Sequence, residues 1–246
     1  MPTAEWILTF DDGPLAADVV DVSGMSNEQM LAPLRGILDT LRNQADGAIK
    51  AVFFLRGPAY PWPTPPPREV FEQGVQWMLD EGHHVGLHAY EHRPDLWQKW
   101  VSHADQIKRD LDQCQDYFKP MIGGDDLTVF RPPYGQGGIP AWVWAKENGV
   151  KYQLMDIDTK DWKHHPDATF RRWANDPAGH RDHMLGTLPS RMWFHTLFPG
   201  ANDFLFHVSE RTAGFLRDLI DKISQSTRDL GHEPSYVVPP EYVGTK

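Results

Sequence analysis

Only one cysteine, Cys114, stands in the 246 residues, so no internal disulfide can staple the fold. Leu111 and Phe118 around it fit a helix, which reads as a buried, unreactive thiol rather than a nucleophile. Long apolar runs are missing too, and nothing approaches the length of a membrane span. No signal-peptide pattern precedes the first strand; the expectation is a cytoplasmic protein, or a secreted one whose export segment has been removed. Internal repeats, low-complexity tracts and linkers are absent as well, which predicts a single domain over residues 1–246. Positive charge is in deficit. A formal charge of −10 argues against nucleic acid or an anionic membrane as the main partner and suits a neutral substrate.

What is plentiful is ordinary globular material, 40% hydrophobic and 24% charged, enough for a sizeable core. Ten tryptophans are present, several in Pro- or charge-rich stretches where they offer stacking surfaces. Apolar runs alternate with helical patterns along the chain. Strands are predicted at Glu5–Phe10, Lys50–Leu55, His83–His88, Leu127–Arg131, Val150–Asp156, Arg191–His195 and Ser235–Val238. Helices are predicted from a Ser26 cap through Leu41, and over Arg68–Glu81, Val101–Phe118, Ile139–Asn148, part of Ala168–Leu185, and Ser209–Leu230. The proline-dense Ala59–Pro67 stretch is a rim loop that no helix can cross. Strands alternating with helices imply an α/β fold, a parallel sheet with helices outside.

The chain is organised around Thr9-Phe10-Asp11-Asp12-Gly13-Pro14, where the first strand stops at a Gly-Pro breaker. Extended neighbours point to opposite faces, but a turn can aim both carboxylates into one pocket. One can then ligate a cation while the other stays free as a base; a solvated Asp-Asp-Gly turn is the plain alternative. His88 and His92, four apart, share a face if the chain coils helically after the strand, and Asp12 would complete a two-histidine, one-carboxylate ligand set. Arg131 is presented rigidly by Pro132 and Pro133 and suits a bidentate grip on a carboxylate base, or a structural ion pair. His195 closes the Arg191–His195 run. Asp161 could pair with it, raise its pKa and keep it protonated as an acid. The other histidines, among them His164, His165, His180 and His183, read as solvated.

These pieces, in this order, resemble the polysaccharide deacetylases of carbohydrate esterase family 4. Thr9–Pro14 is identical to the family's first motif, Ala51–Gly57 and Gly82–His88 look like its second and third strands, and Arg131–Tyr134 and Asp158–Trp162 fit its third and fourth motifs. His195 takes the place of the fifth-motif histidine. The resemblance implies a distorted (β/α)7 barrel binding one divalent cation, zinc first, with cobalt, nickel or manganese as alternatives. It implies Asp12, His88 and His92 as ligands and Asp11 as the general base. Arg131 would orient Asp11, and the Tyr134 amide would stabilise the oxyanion. His195 would be the acid, tuned by Asp161, and Trp162 would line the sugar pocket with Tyr134.

The function implied is removal of N-acetyl groups from N-acetylglucosamine-containing glycans such as chitin oligomers or peptidoglycan, with acetyl esters of xylan as a close variant. A cyclic-imide or ureide hydrolase on the same barrel, or a catalytically silent carbohydrate-binding relative, are the alternatives. Two positions depart from the family pattern. Ala89 stands where Ser or Thr is usual, and Trp193, two before His195, stands where leucine is usual.

Overall fold

The computed structural model describes residues 1–16, 22–44, 48–59, 65–159, 161, 185, 186, 189, 192 and 201–242. Strand β1 (Thr3–Gly13) lies at the centre. It is followed by α1 (Asn27–Met30), α2 (Ala32–Arg42), β2 (Val52–Arg56), α3 (Arg68–Asp80) and β3 (His84–Ala89). Next come α4 (Pro94–Gln98), α5 (Ala104–Phe118), β4 (Val129–Phe130), α6 (Gly138–Glu147), β5 (Lys151–Tyr152) and β6 (Ile157–Asp158). The chain ends with β7 (Asn202–His207), α7 (Glu210–Asp229) and β8 (Glu233–Tyr236).

Every strand pair is parallel, in the order β5-β4-β3-β2-β1-β7-β6, with β8 added against Thr3–Trp6 of β1. The two ends of that path, β5 and β6, are joined only by residues 153–156. A flat sheet would hold them about 29 Å apart at the usual strand spacing. The connecting chain reaches roughly 17 Å at most. The sheet therefore curls on itself, and the described residues form the distorted parallel barrel that the alternating pattern and the family resemblance implied.

Side chains alternate across each strand. Outward-facing Leu8, Phe10, Phe53, Leu87, Phe130, Phe204 and Phe206 are buried under the helices, whose apolar stripes supply Leu34, Leu41, Val75, Leu111, Leu219 and Ile223. The inward faces are layered. Ile7, Val52, Phe54, Val129 and Tyr242 form an apolar floor. Gly86 sits where a Cβ would lie 2.7 Å from a Val129 methyl and 2.8 Å from its carbonyl oxygen, so no larger residue fits between the strands. Above the floor, the same alternation brings Thr9, Asp11, Arg56, His88 and His207 inward toward the C-terminal ends of the strands, while Asp203 turns inward near the start of β7.

The elements differ from expectation in four places. The helix predicted through Leu41 breaks at Leu31, because Pro33 lacks an N–H and is tolerated only in a first turn; the Ser26 cap itself forms, with a reciprocal Gln29 bond. The Val101–Phe118 helix starts at Ala104, after a separate 3-10 turn at Trp100–Ser102. Val150–Asp156 is not one strand: Lys151–Tyr152 pairs with β4, and the chain then crosses to pair Ile157–Asp158 with β7. A strand not predicted from the sequence, β7, runs over Asn202–His207. The predicted Arg191–His195 strand falls outside the described residues except for Met192, which is helical and buried. Most of Ala168–Leu185 and of Ala59–Pro67 also lies outside them.

Candidate metal centre and acid–base pocket

Among the described residues, three other than glycine have positive φ: Asp12 at 66°, His92 at 45° and Tyr134 at 60°. All three lie at this site, and left-handed backbone in such residues is costly enough to need surroundings that enforce it. At Asp12 it interrupts the strand alternation that would turn neighbouring carboxylates apart. His88 Nε2 consequently lies 3.8 Å from Asp11 Oδ2 and 3.7 Å from Asp12 Oδ1. At His92 the chain turns rather than entering the helix expected after His88. The turn is held by buried Asp110 of α5, whose two oxygens accept the amides of Tyr90 (2.9 Å) and Glu91 (2.8 Å).

The outer partners of the two imidazoles fix their tautomers. His88 Nδ1 lies 2.8 Å from the Arg131 carbonyl, which can only accept, so Nδ1 carries a proton and Nε2 is the nitrogen turned toward the carboxylates. The Tyr134 hydroxyl donates to the His92 carbonyl at 3.0 Å, and its oxygen faces His92 Nδ1 at 3.1 Å as an acceptor. Burial pushes the His92 imidazole down to about 3, against the pull of Asp12, so the ring is neutral.

Its Nε2 lone pair then points at His88 Nε2 (3.2 Å) and Asp12 Oδ1 (3.2 Å). Burial works to raise the Asp12 pKa, but its imidazole and guanidinium neighbours, His92, Arg56, His88 and His207, hold it below the ordinary carboxylate range. Asp12 Oδ1 is buried and accepts no hydrogen bond. The three ligand atoms lie within 4.8 Å of one another. That donor set fits a divalent cation. Among the described residues it is the one such group.

Arg131, just past β4, is fully buried with its guanidinium carbon 4.3 Å from the centre of the Phe54 ring. Its Nη1 donates to Asp11 Oδ1 at 3.0 Å and to Thr9 Oγ1 at 2.6 Å, and its Nη2 donates to Asp203 Oδ2. Tyr134 is partly exposed, with its ring centroid 4.7 Å from that of His92.

Asp161 is buried, and its imidazole partner is His207: Oδ1 lies 2.8 Å from His207 Nδ1, while Oδ2 accepts the His207 amide and the Thr212 hydroxyl, each at 2.7 Å. Burial opposes the charge on His207, but Asp161, then Asp12 and Asp11, outweigh it and raise the pKa to about 9. This imidazole is protonated at neutral pH. Among the described residues the Asp161 carboxylate is taken up by the end of β7, where the sequence reading expects His195. His195 and Trp162 themselves lie outside the described residues. The missed histidine carried a signal: Leu205 stands two before His207, where Trp193 broke the pattern before His195. Cys114 is buried, its thiol facing the Leu55 carbonyl and its pKa raised by burial.

Together, fold and site define a parallel α/β barrel with a cation-ready donor set at the C-terminal edge of its strands. A model of the polysaccharide deacetylase family matches residues 1–153, well over half of the chain, which therefore belongs to that family. Over 160 residues it is 29% identical to a peptidoglycan-N-acetylglucosamine deacetylase of Bacillus cereus, covering 65% of this chain and 47% of that protein. Over 238 residues it is 26% identical to a putative polysaccharide deacetylase of Bacillus subtilis, covering 94% and 68%. The chain spans about half the length of several curated relatives it matches. Among solved structures, a family 4 carbohydrate esterase from Streptomyces lividans superposes with a TM-score of 0.61 at 18% identity over 97% of this chain and 95% of that one. A family pseudoenzyme from Bacillus anthracis superposes at 0.58 with 20% identity over 96% and 64%. At such identities these structures speak for the fold alone. Among the described residues, no helix is long and apolar enough to cross a membrane.

Proposed function

We propose that this chain, residues 1–246 acting as one catalytic domain, is a metal-dependent hydrolase that removes N-acetyl groups from N-acetylglucosamine-containing glycans. Peptidoglycan is put first, because curated relatives from three species carry peptidoglycan deacetylase names. Chitin oligomers follow, and acetyl esters of xylan are a close variant. The observation that carries the reading is the donor set of Asp12 Oδ1, His88 Nε2 and His92 Nε2 in one pocket with a paired carboxylate and a protonated imidazole.

A divalent cation held there, zinc by preference, would act as a Lewis acid on the acetyl carbonyl and lower the pKa of water. Asp11 accepts the proton of the attacking water, with Arg131 fixing its orientation through Nη1. The Tyr134 amide, in its left-handed turn, is the donor proposed for the developing oxyanion. His207 replaces His195 as the acid that protonates the departing nitrogen, and Asp161 holds its ring and its charge. Trp162 is assigned to the wall of the sugar pocket.

A catalytically silent relative is the second reading, since one structural neighbour is a pseudoenzyme. The presence of Asp11, Asp12, His88, His92, Arg131, Asp161 and His207 in one chain favours activity. Acetate release from peptidoglycan fragments, chitin oligomers and acetylated xylan, with a cyclic imide as a further arm, is the test. Release from at least one glycan supports the proposal. Turnover of the imide alone, or none by metal-loaded protein, contradicts it.

A further inference from the structure

Arg131 is held by more than the carboxylate it orients. Its guanidinium bridges two buried acids, Asp11 through Nη1 and Asp203 through Nη2. Asp203 is fully buried on β7, in register with Ile7 of β1, and faces the barrel interior two layers below Asp11, with the Thr9 layer between. A carboxylate there is costly unless charge and hydrogen bonds answer it. They do: besides Arg131, Thr9 Oγ1 donates to Asp203 Oδ1 at 2.7 Å and Gln153 Nε2 approaches Oδ2 at 3.4 Å. The Asp203 amide is itself fixed by Asp156 Oδ2 at 2.9 Å. Thr9 Oγ1 also receives Arg131 Nη1 at 2.6 Å, closing a ring of Arg131, Thr9 and Asp203 beneath Asp11.

We propose that Asp203 is a positioning residue for the reaction assigned above: it anchors the far nitrogen of Arg131 so that the near one stays on Asp11 Oδ1. The proposal rests on the deacetylase reading for its catalytic consequence and on the geometry alone for the anchoring. Without Asp203 the guanidinium would keep only its Nη1 contacts, to Asp11 and Thr9, and be free to pivot about them, since Phe54 offers its face nothing but a ring. Fixing Nη2 removes that freedom and leaves the Asp11 carboxylate one orientation.

The test uses the metal-loaded protein and the near-isosteric variant Asp203→Asn. Exchange of the Arg131 guanidinium protons with solvent, followed by NMR, needs no turnover. It is expected to be slow in the wild type and about tenfold or more faster in the variant, as for a group that has lost one of two charged anchors. Fast exchange in the wild type, or equal rates in both, overturns the proposal; the wild-type measurement decides even if the variant does not fold. On an N-acetylated glycan, kcat is expected to fall about tenfold with KM and metal content unchanged, the mark of lost orientation rather than lost binding. In an Arg131→Lys background the same substitution should cost little more, because both act through one contact. Additive costs, or a rise in KM alone, would overturn it. Should loaded wild-type protein release no acetate from any glycan, the deacetylase reading fails by itself, and the exchange rates still decide the role of Asp203.

Discussion

Two parts of the pocket solve the problem of buried polarity in opposite ways. In the pair formed by Asp161 and His207, both Asp161 oxygens are bonded and the imidazole carries the charge that balances it. In the group of Asp12, His88 and His92, the backbone and Tyr134 bond the outer nitrogens, and the three inner atoms face only one another. The first is complete within the protein. The second is complete only with a cation, and the outer bonds keep it so by preventing either ring from turning a proton inward.

The comparison is broken most severely by removing a donor from the incomplete group. His88→Ala is expected to lose the metal and all measurable acetate release, and a chelator should do the same to the wild type, with zinc or cobalt restoring part of it. Metal retained in full by His88→Ala, or activity insensitive to chelation, would invalidate the ligand assignment. Asp11→Asn should separate chemistry from ligation, keeping the metal while turnover falls by about a thousandfold.

Next comes the pair that needs no cation. Asp161→Asn should keep the metal and lower turnover about a hundredfold. Its signature is in the pH profile. The folded pKa of His207 is raised from 6.5 to about 9, so the acid form serves below about 9 and the wild-type alkaline limb should lie there. Without the Asp161 charge that limb moves to lower pH. The same shift stabilises the fold fully below about 6.5 and is lost as pH rises through about 9, so the wild-type melting temperature should drop across that window. A flat melting temperature from neutrality to mild alkalinity would deny the pairing.

Smaller effects sharpen the contrast. Tyr134→Phe removes the oxygen that orients His92 and should weaken metal affinity about tenfold without unfolding the protein. Asp110→Ala frees two loop amides and should cost about 1–3 kcal/mol of stability, with a still smaller loss of metal affinity. Titration of metal by calorimetry and thermal melts check both.

What the sequence made legible follows the range of the interactions. Thr9–Pro14, His88, His92 and Arg131 each sit at or just past a strand end marked by local breakers; alternation implies the parallel sheet with helices outside, and its closure into a barrel is implied only by the family resemblance. The turn at His92 was not legible, because a spacing of four suits a helix and a left-handed turn equally. His207 was passed over for His195, since both close an apolar run; what distinguishes them is the pairing of β7 with β1 and the reach of Asp161, contacts across tens or hundreds of residues. Asp203 carries no local mark of its role, which needs Arg131, 72 residues away. Val150–Asp156 hid a change of partner strand that no local pattern records.

The donor set of Asp12, His88 and His92 fits one positive ion. Metal analysis of wild-type protein equilibrated with zinc and then dialysed tests it most directly, alongside His92→Ala treated identically. One equivalent per chain in the wild type and none in the variant is the predicted result. A wild type that retains no metal at neutral pH, or a variant that binds as much, would contradict it.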